Sequence, residues 1–229
     1  MIVSRVMTKN PVYTRPETRV SEARSLMNKE KISHLPVLDK DNNLVGIATK
    51  KDMLKAGPSP ATTLDMYEIS YLLSKMTVDM IMTKTVICTV ENEVIEEAAR
   101  MMSDNDISCL PVMRDKFLIG IVTVNDLFES FITAFGARHI GVRVSFVMQE
   151  KPGQIARLGG AIAEKGGNIV SFVTHEGDYL YERGGTMKIT GLDLYVVKNI
   201  FEKAQAEILD IRQGDGGTCN SFCINGVLL

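Results

Sequence analysis

Gly46-Ile47-Ala48-Thr49-Lys50-Lys51-Asp52 recurs as Gly120-Ile121-Val122-Thr123-Val124-Asn125-Asp126, and this doubled stretch decides how the chain reads. In each copy an apolar, strand-like run ends at a threonine, and an aspartate stands three residues later, where a helix begins. A T-x-x-D step resembles a capping box: the threonine caps the helix and the aspartate reaches back to the cap. Two copies of one small polar signature point to two copies of one site.

The duplication extends on both sides. Val6-Met7-Thr8-Lys9 returns as Ile81-Met82-Thr83-Lys84, and His34-Leu35-Pro36-Val37 as Cys109-Leu110-Pro111-Val112, both at an offset of 75 residues. At Thr49 and Thr123 the offset is 74, so one residue is lost in the intervening turn. Val20, Ala23, Leu26 and Met27 match Ile95, Ala98, Met101 and Met102, the spacing of a helix face packed on a core. Each repeat therefore reads as leader, helix, strand, turn, strand, helix. A unit this small buries too little apolar surface alone, so the two copies should pack together.

The order Val6-Met7-Thr8, Ser33-His34-Leu35-Pro36-Val37-Leu38-Asp39 and Leu44-Val45-Gly46-Ile47-Ala48-Thr49 with Asp52 resembles a CBS domain. The tandem pair, over roughly residues 1 to 135, resembles a Bateman module. The resemblance implies two clefts between the repeats that bind adenosine-containing ligands such as AMP, ADP, ATP or S-adenosylmethionine. It also implies that each cleft mixes the repeats. Thr123 and Asp126 would face Thr8, Tyr13, Ile32 and Ser33, while Thr49 and Asp52 would face Thr83, Cys88, Ile107 and Ser108, with the apolar members against adenine. His34 stands where some CBS domains carry a basic residue that touches phosphate, and Lys50 and Lys51 flank the same motif. Their counterparts Cys109, Val124 and Asn125 are uncharged, so the Thr49 cleft is expected to prefer more phosphates.

These residue types suit the ligand. A carboxylate accepts charge-assisted hydrogen bonds from two vicinal ribose hydroxyls, and a threonine at a strand-to-helix step lies near helix N-terminal amides that favour phosphate. The same residues also read as plain helix caps and plain core, and the two readings are compatible.

Composition narrows the class. The chain has 229 residues, 45% of them apolar, a net charge of −2 and no tryptophan, which gives room for two or three small globular domains. No basic surplus argues for nucleic acid, and runs such as Phe117-Leu118-Ile119-Gly120-Ile121-Val122 are too short to span a bilayer. The N-terminus Met1-Ile2-Val3-Ser4-Arg5 lacks signal-peptide character, so a cytoplasmic location is expected. Cys88 and Cys109 lie in apolar runs and read as small core residues. Cys219 and Cys223 lie in a Gly-rich tail without the histidine or carboxylate cluster of a metal site.

Taken in order, Pro11-Val12-Tyr13-Thr14 reads as a strand, and Pro16 and Glu17 open the first helix with Thr18 as its cap. Gly57-Pro58-Ser59-Pro60 stops the helix after Asp52, and Ile69, Leu72, Leu73 and Met76 form the stripe of a linker helix. Past Gly136-Ala137-Arg138-His139-Ile140 the pattern changes. Val142, Val144 and Phe146 alternate as a strand; Ile155, Leu158, Ile162 and Ala163 form a helix face; Asn168 to Thr174 and Thr186 to Thr190 are strands. Leu194, Val197, Ile200, Phe201 and Ala204 form a second helix face before a last strand, Glu207 to Arg212. This βαββαβ order is the ferredoxin-like split unit. With Lys151-Pro152-Gly153-Gln154 at the first turn and Gly166-Gly167-Asn168-Ile169 after the first helix, it resembles an ACT domain, although Glu150-Lys151 replaces the usual turn aspartate. The resemblance implies an amino-acid-sensing or dimerising module, with any ligand between two ACT domains near Pro152, Gly153 and Asn168. The whole arrangement is similar to the acetoin-utilisation type of CBS–ACT regulatory protein.

The expected fold class is α+β: a pseudo-two-fold pair of CBS repeats, then a ferredoxin-like domain. The expected divisions are repeat 1 over 1–56, a linker helix over 57–79, repeat 2 over 80–135, a linker over 136–140, the ACT-like domain over 141–213 and a tail over 214–229. No P-loop, G-x-G-x-x-G, H-E-x-x-H, G-x-S-x-G or Cys-His-acid pattern is present. The expectation is a non-enzymatic sensor that requires no cofactor or metal and takes an adenine nucleotide or S-adenosylmethionine as regulatory ligand. Its expected partners are a second copy of itself, an amino acid and a target protein that the sequence does not name, with neither nucleic acid nor membrane. The alternatives are a structural or dimerisation partner with empty clefts, and an enzyme whose site lies in the ACT-like part.

Overall fold

The computed structural model describes residues 1–56, 75–176, 181–215, 223–224 and 227–228. The chain forms two compact units, Met1–Leu127 and Phe128–Leu229.

In the first unit the duplicated sequence is a duplicated structure. Repeat 1 contains β1 (Thr8–Lys9), α1 (Val20–Lys29), β2 (His34–Leu38), β3 (Leu44–Thr49) and α2 (Lys50–Lys55). Repeat 2 contains β4 (Thr89–Val90), α3 (Ile95–Asp104), β5 (Cys109–Arg114), β6 (Phe117–Thr123) and α4 (Val124–Ala134), which carries the chain into the second unit. Each strand pair is an antiparallel hairpin, with His34 opposite Thr49 and Cys109 opposite Thr123. The first turn is held by Asp39, whose Oδ1 accepts from the amides of Asp41 and Asn43 at 2.9 and 2.8 Å. Asn42 there is left-handed at φ 63°, a conformation Asn tolerates well.

The two leaders are exchanged. Val3 is fully buried among Ala98, Met102, Leu110, Val112 and Val122 of repeat 2, and Val78 is fully buried among Val20, Ala23, Met27, Leu35 and Val37 of repeat 1. Each such valine contributes about 1.5–3 kcal/mol. The backbone follows the same plan: Thr8 pairs with Ile121, while Thr83 and Ile47 exchange hydrogen bonds of 3.0 and 2.9 Å. Neither repeat completes its core without the other, as their small size requires.

Two local expectations are corrected. Pro11–Thr14 is not a strand; Thr14 makes a single bridge to Val37, and the leader's paired residues are Thr8 and Lys9. The first helix starts at Val20, not at Pro16–Glu17, and Thr18 does not cap it. The reason is pairing across the repeat boundary: Thr18 O accepts from Val78 N, Val20 N donates to Met76 O, and Arg19 bridges Thr77, so Arg19 is held extended and the helix begins only after it. Ile69, Leu72 and Leu73 of the expected linker helix lie outside the described residues, whereas Met76 packs against the core of repeat 1.

The second unit follows the βαββαβ order: β7 (Ile140–Gln149), α5 (Gln154–Glu164), β8 (Asn168–Glu176), β9 (Glu182–Thr190), α6 (Leu194–Lys203) and β10 (Glu207–Asp215). Its antiparallel sheet has the strand order β10-β7-β9-β8. Val142, Val144, Phe146 and Met148 bury one face of β7 against Leu158 and Ile162 of α5 and Val197, Ile200 and Phe201 of α6. Phe146 meets Phe201 edge-on at 4.8 Å between ring centroids. Asp193 caps α6, accepting from Val196 N at 2.8 Å. Strands β8, β9 and β10 run longer than the sequence pattern indicates; β10 continues to Asp215, paired with Ile140. Beyond it, Cys223–Ile224 pairs with Val227–Leu228, and Cys219 lies outside the described residues.

Candidate functional site

Both T-x-x-D steps fold as the same closed box. Thr49 N and Oγ1 donate to Asp52 Oδ2 at 2.8 and 2.7 Å, and Asp52 N donates back to Thr49 Oγ1 at 3.2 Å. Thr123 N and Oγ1 donate to Asp126 Oδ2, each at 2.7 Å, and Asp126 N returns the bond at 3.4 Å. The first helical amides are tied across the hairpins as well: Lys50 N donates to Ser33 O at 3.0 Å and Val124 N to Ser108 O at 3.1 Å. The expected phosphate-favouring amides are thus mostly committed. Among the first three of α4, Asn125 N is the one without a partner among the described residues.

Two clefts open beside these steps, both inside the first unit. One, of about 530 Å³, is lined by Thr8, Asn10, Pro11, Val12, Lys31, Ile32, Ser33, His34, Ser108, Ile121, Thr123, Val124, Asn125 and Asp126. The other, of about 430 Å³, is lined by Ser33, His34, Ile47, Thr49, Lys50, Lys51, Thr83, Thr85, Val86, Ile87, Asp106, Ile107, Ser108, Cys109 and Pro111. The linings correspond nearly residue for residue under the repeat offset: Asn10–Val12 with Thr85–Ile87, Ile32 with Ile107, Ile121 with Ile47, Thr123 with Thr49. Ser33, His34 and Ser108 line both and form a common wall, in which His34 Nε2 lies 2.8 Å from Ser108 Oγ.

Most expected residues come together as grouped in the sequence. Thr8, Ile32, Ser33, Thr123 and Asp126 share the first cleft; Thr49, Lys50, Lys51, Thr83, Ile107 and Ser108 share the second. Three do not line either cleft. Tyr13 lies 45% exposed under the Arg15 guanidinium, 5.2 Å from its ring centroid, and Val12 takes the expected place. Cys88 is half-buried with Sγ toward Val86 O, and Ile87 takes its place. Asp52 is held in its box and does not line the Thr49 cleft as Asp126 lines the other. His34 is corrected in charge: burial pushes its pKa below the ordinary value of 6.5, so at neutral pH it enters both clefts as a neutral imidazole. Cys109 is buried beside the second cleft, and burial pushes its thiol up to about 12. Among the lining residues that escaped the sequence reading, Lys31 and Asp106 carry charge; both follow a first helix, and their shared offset was the available signal.

In the second unit Gly153 opens α5 at φ 84°, where a side chain would strain the backbone, and Asn168 is exposed at the start of β8. They do not meet. Gln149 at the end of β7 pairs with Glu182, and Asn168 with Thr190, so Pro152 and Gly153 lie at one end of the sheet and Asn168 at the other. Eight residue steps along β9 separate those ends, about 27 Å. A groove of about 570 Å³ between α5 and α6, lined by Gln154, Arg157, Glu164 and Lys203 among others, includes none of the three.

Comparison with known proteins is decisive at this point. Residues 3–59 and 78–132 match the CBS domain, and residues 140–212 the TTHA0829-like ACT domain. Uncharacterized protein MJ1426 of Methanocaldococcus jannaschii is 34% identical over 155 residues, covering 58% of this chain and 92% of that protein. The chain belongs to the CBS-domain family. It is a tandem CBS pair with a C-terminal ACT domain.

Among solved structures, the CBS pair is similar to that of protein MJ0100 in complex with 5'-methylthioadenosine and S-adenosyl-L-methionine, at 32% identity and a TM-score of 0.49, covering 57% of this chain and 95% of that one. It is also similar to a proposed acetoin utilization protein (AcuB) from Vibrio cholerae, at 27% identity and a TM-score of 0.49, covering 58% and 90%. L-aspartate semialdehyde sulfurtransferase of Methanocaldococcus jannaschii is 32% identical over 131 residues, 57% of this chain, and the chain spans 23% of that enzyme's length. Among the described residues no helix is long and apolar enough to cross a membrane, and no three His, Cys, Asp or Glu side chains converge as metal ligands.

Proposed function

We propose that this protein is a regulatory sensor without catalytic activity of its own, and that its two CBS clefts bind adenosine-containing ligands. The observation that carries the reading is the pair of clefts itself. Each has a volume in the range of small-molecule sites, a mixed lining from both repeats, and a T-x-x-D step at its side. In the larger cleft Val12 and Ile32 offer apolar surface to a base. Asp126 already accepts from Thr123 through Oδ2, and its carboxylate stands where ribose hydroxyls would donate. Asn125 N and Lys31 are the donors for a phosphate. In the smaller cleft Ile87 and Ile107 take the base, and Thr49, Lys50 and Lys51 the polar end.

The ACT domain serves self-association in this reading. An amino-acid site of the expected composition needs two chains, because one chain holds Gly153 and Asn168 at opposite ends of its sheet. A homodimer or higher oligomer in the cytoplasm follows, acting on a target protein. Light scattering at micromolar concentration tests the association, and a monomer removes it.

The nucleotide reading is tested by a thermal-shift screen with AMP, ADP, ATP, S-adenosylmethionine and 5'-methylthioadenosine. A ligand that binds the folded chain at a hundredfold excess over its Kd adds about 2.7 kcal/mol of stability. No shift with any of the five would reject the adenosine reading.

A further inference from the structure

Lys31 and Asp106 occupy one place in the two repeats and carry opposite charge. Lys31 is the second residue after α1 and Asp106 the second after α3; both are left-handed, at φ 55° and 51°, and both are exposed. Each stands directly before an Ile-Ser pair, Ile32-Ser33 and Ile107-Ser108. Because the repeats face each other, the two residues line different clefts: Lys31 the Thr123 cleft and Asp106 the Thr49 cleft. Among the described residues neither side chain is engaged in an ion pair, so both charges are available to a ligand.

The remaining lining charges give each cleft both signs, so position and not the sum decides. Lys31 shares the Thr123 cleft with Asp126, whereas Asp106 of repeat 2 shares the Thr49 cleft with Lys50 and Lys51 of repeat 1. The common wall does not discriminate, since His34 and both serines line both clefts. We propose that Lys31 and Asp106 set the ligand class of each cleft: the Thr123 cleft takes an anionic adenosine mononucleotide, and the Thr49 cleft a zwitterionic adenosine derivative. Repeats related by a pseudo-two-fold hold a shared adenosine core in the same pose, so the ligand group that meets Lys31 in one cleft meets Asp106 in the other. A phosphate is attracted in the first position and repelled in the second. A cationic group is favoured by Asp106, while Lys50 and Lys51 receive a negative group of the same ligand. The expectation of more phosphates in the Thr49 cleft counted the lysines and omitted the carboxylate that lines the same cleft.

This inference rests on the adenosine reading of the clefts and adds the basis of choice between them. The probes are AMP and S-adenosylmethionine, titrated calorimetrically into the full chain at low salt as wild type, Lys31→Asn and Asp106→Asn. Asparagine removes either charge and is at ease in left-handed backbone, so both variants keep the local fold. Lys31→Asn is expected to weaken AMP roughly tenfold while leaving S-adenosylmethionine unchanged, and Asp106→Asn to do the reverse, with both effects shrinking as salt rises. Variants that weaken both ligands alike, or neither, overturn the assignment alone. Wild-type chain that binds neither probe overturns the adenosine reading and this inference together.

Discussion

His34 Nε2 and Ser108 Oγ, 74 residues apart in sequence, are joined at 2.8 Å across the wall that the two clefts share. No symmetry mate duplicates this bond, because Cys109 stands where a second histidine would be. Burial disfavours the charged imidazole, so below pH 6.5 the unfolded chain binds a proton at this position that the folded chain resists. The contribution to stability is therefore complete above 6.5 and is lost as pH falls through that value toward the lower folded-state pKa. His34→Gln keeps a polar partner for Ser108 and removes the titration. Melting temperatures at pH 7.5 and 5.5 should differ less in this variant than in wild type; equal differences would remove His34 as a source of acid sensitivity.

Gly46 and Gly120 leave room for the methionine of the opposite leader. A Cβ on Gly46 would collide with Met82 Sδ, and one on Gly120 with Met7 Sδ. Gly46→Ala is expected to destabilise the chain by about 1–3 kcal/mol in denaturant unfolding, the range of overpacked cores. Adding Met82→Ala removes the obstacle, so the double variant should lose less than the two single losses combined. Strict additivity would mean that the close approach carries no energetic weight.

Asp52 and Asp126 make the same capping box but differ in reach, since Asp126 lines its cleft and Asp52 does not. Each change to alanine should cost about 1 kcal/mol of stability, because it removes the carboxylate half of the capping box while the threonine cap remains. Loss of adenosine-ligand affinity should be larger for Asp126→Ala. Equal affinity losses, read by calorimetry, would place both carboxylates against ligand.

The repeat architecture was legible because the same residues recur at one offset, and the pairings Val3–Val78 and Met7–Met82 follow from it once the leaders are exchanged. The exchange itself has no local signal. Thr8 and Lys9 become a strand only because β6 of the other repeat is beside them, and Arg19 stays extended because Thr77 bridges it. Tyr13 and Cys88 were misplaced for a related reason: in an extended leader a slip of one residue turns the neighbouring side chain to the cleft. The charge of His34 depended on burial, and Lys31 and Asp106 looked like ordinary polar residues after a helix. In the second unit, alternation along β7 announced the core face, while the separation of Gly153 from Asn168 emerged only from strand direction.

The central claim is that the cleft beside Thr123 and Asp126 is an adenosine site, and equilibrium dialysis with AMP tests it most directly when a matched cap serves as control. Asp193 caps α6 of the ACT domain through the same kind of carboxylate-to-amide bond, far in sequence from either cleft. Saturable AMP binding to wild type, at least tenfold weaker in Asp126→Ala and unchanged in Asp193→Ala, is the predicted result, with tenfold corresponding to about 1.4 kcal/mol. AMP retention no greater than in a protein-free chamber, or equal losses in the two alanine variants, would contradict it.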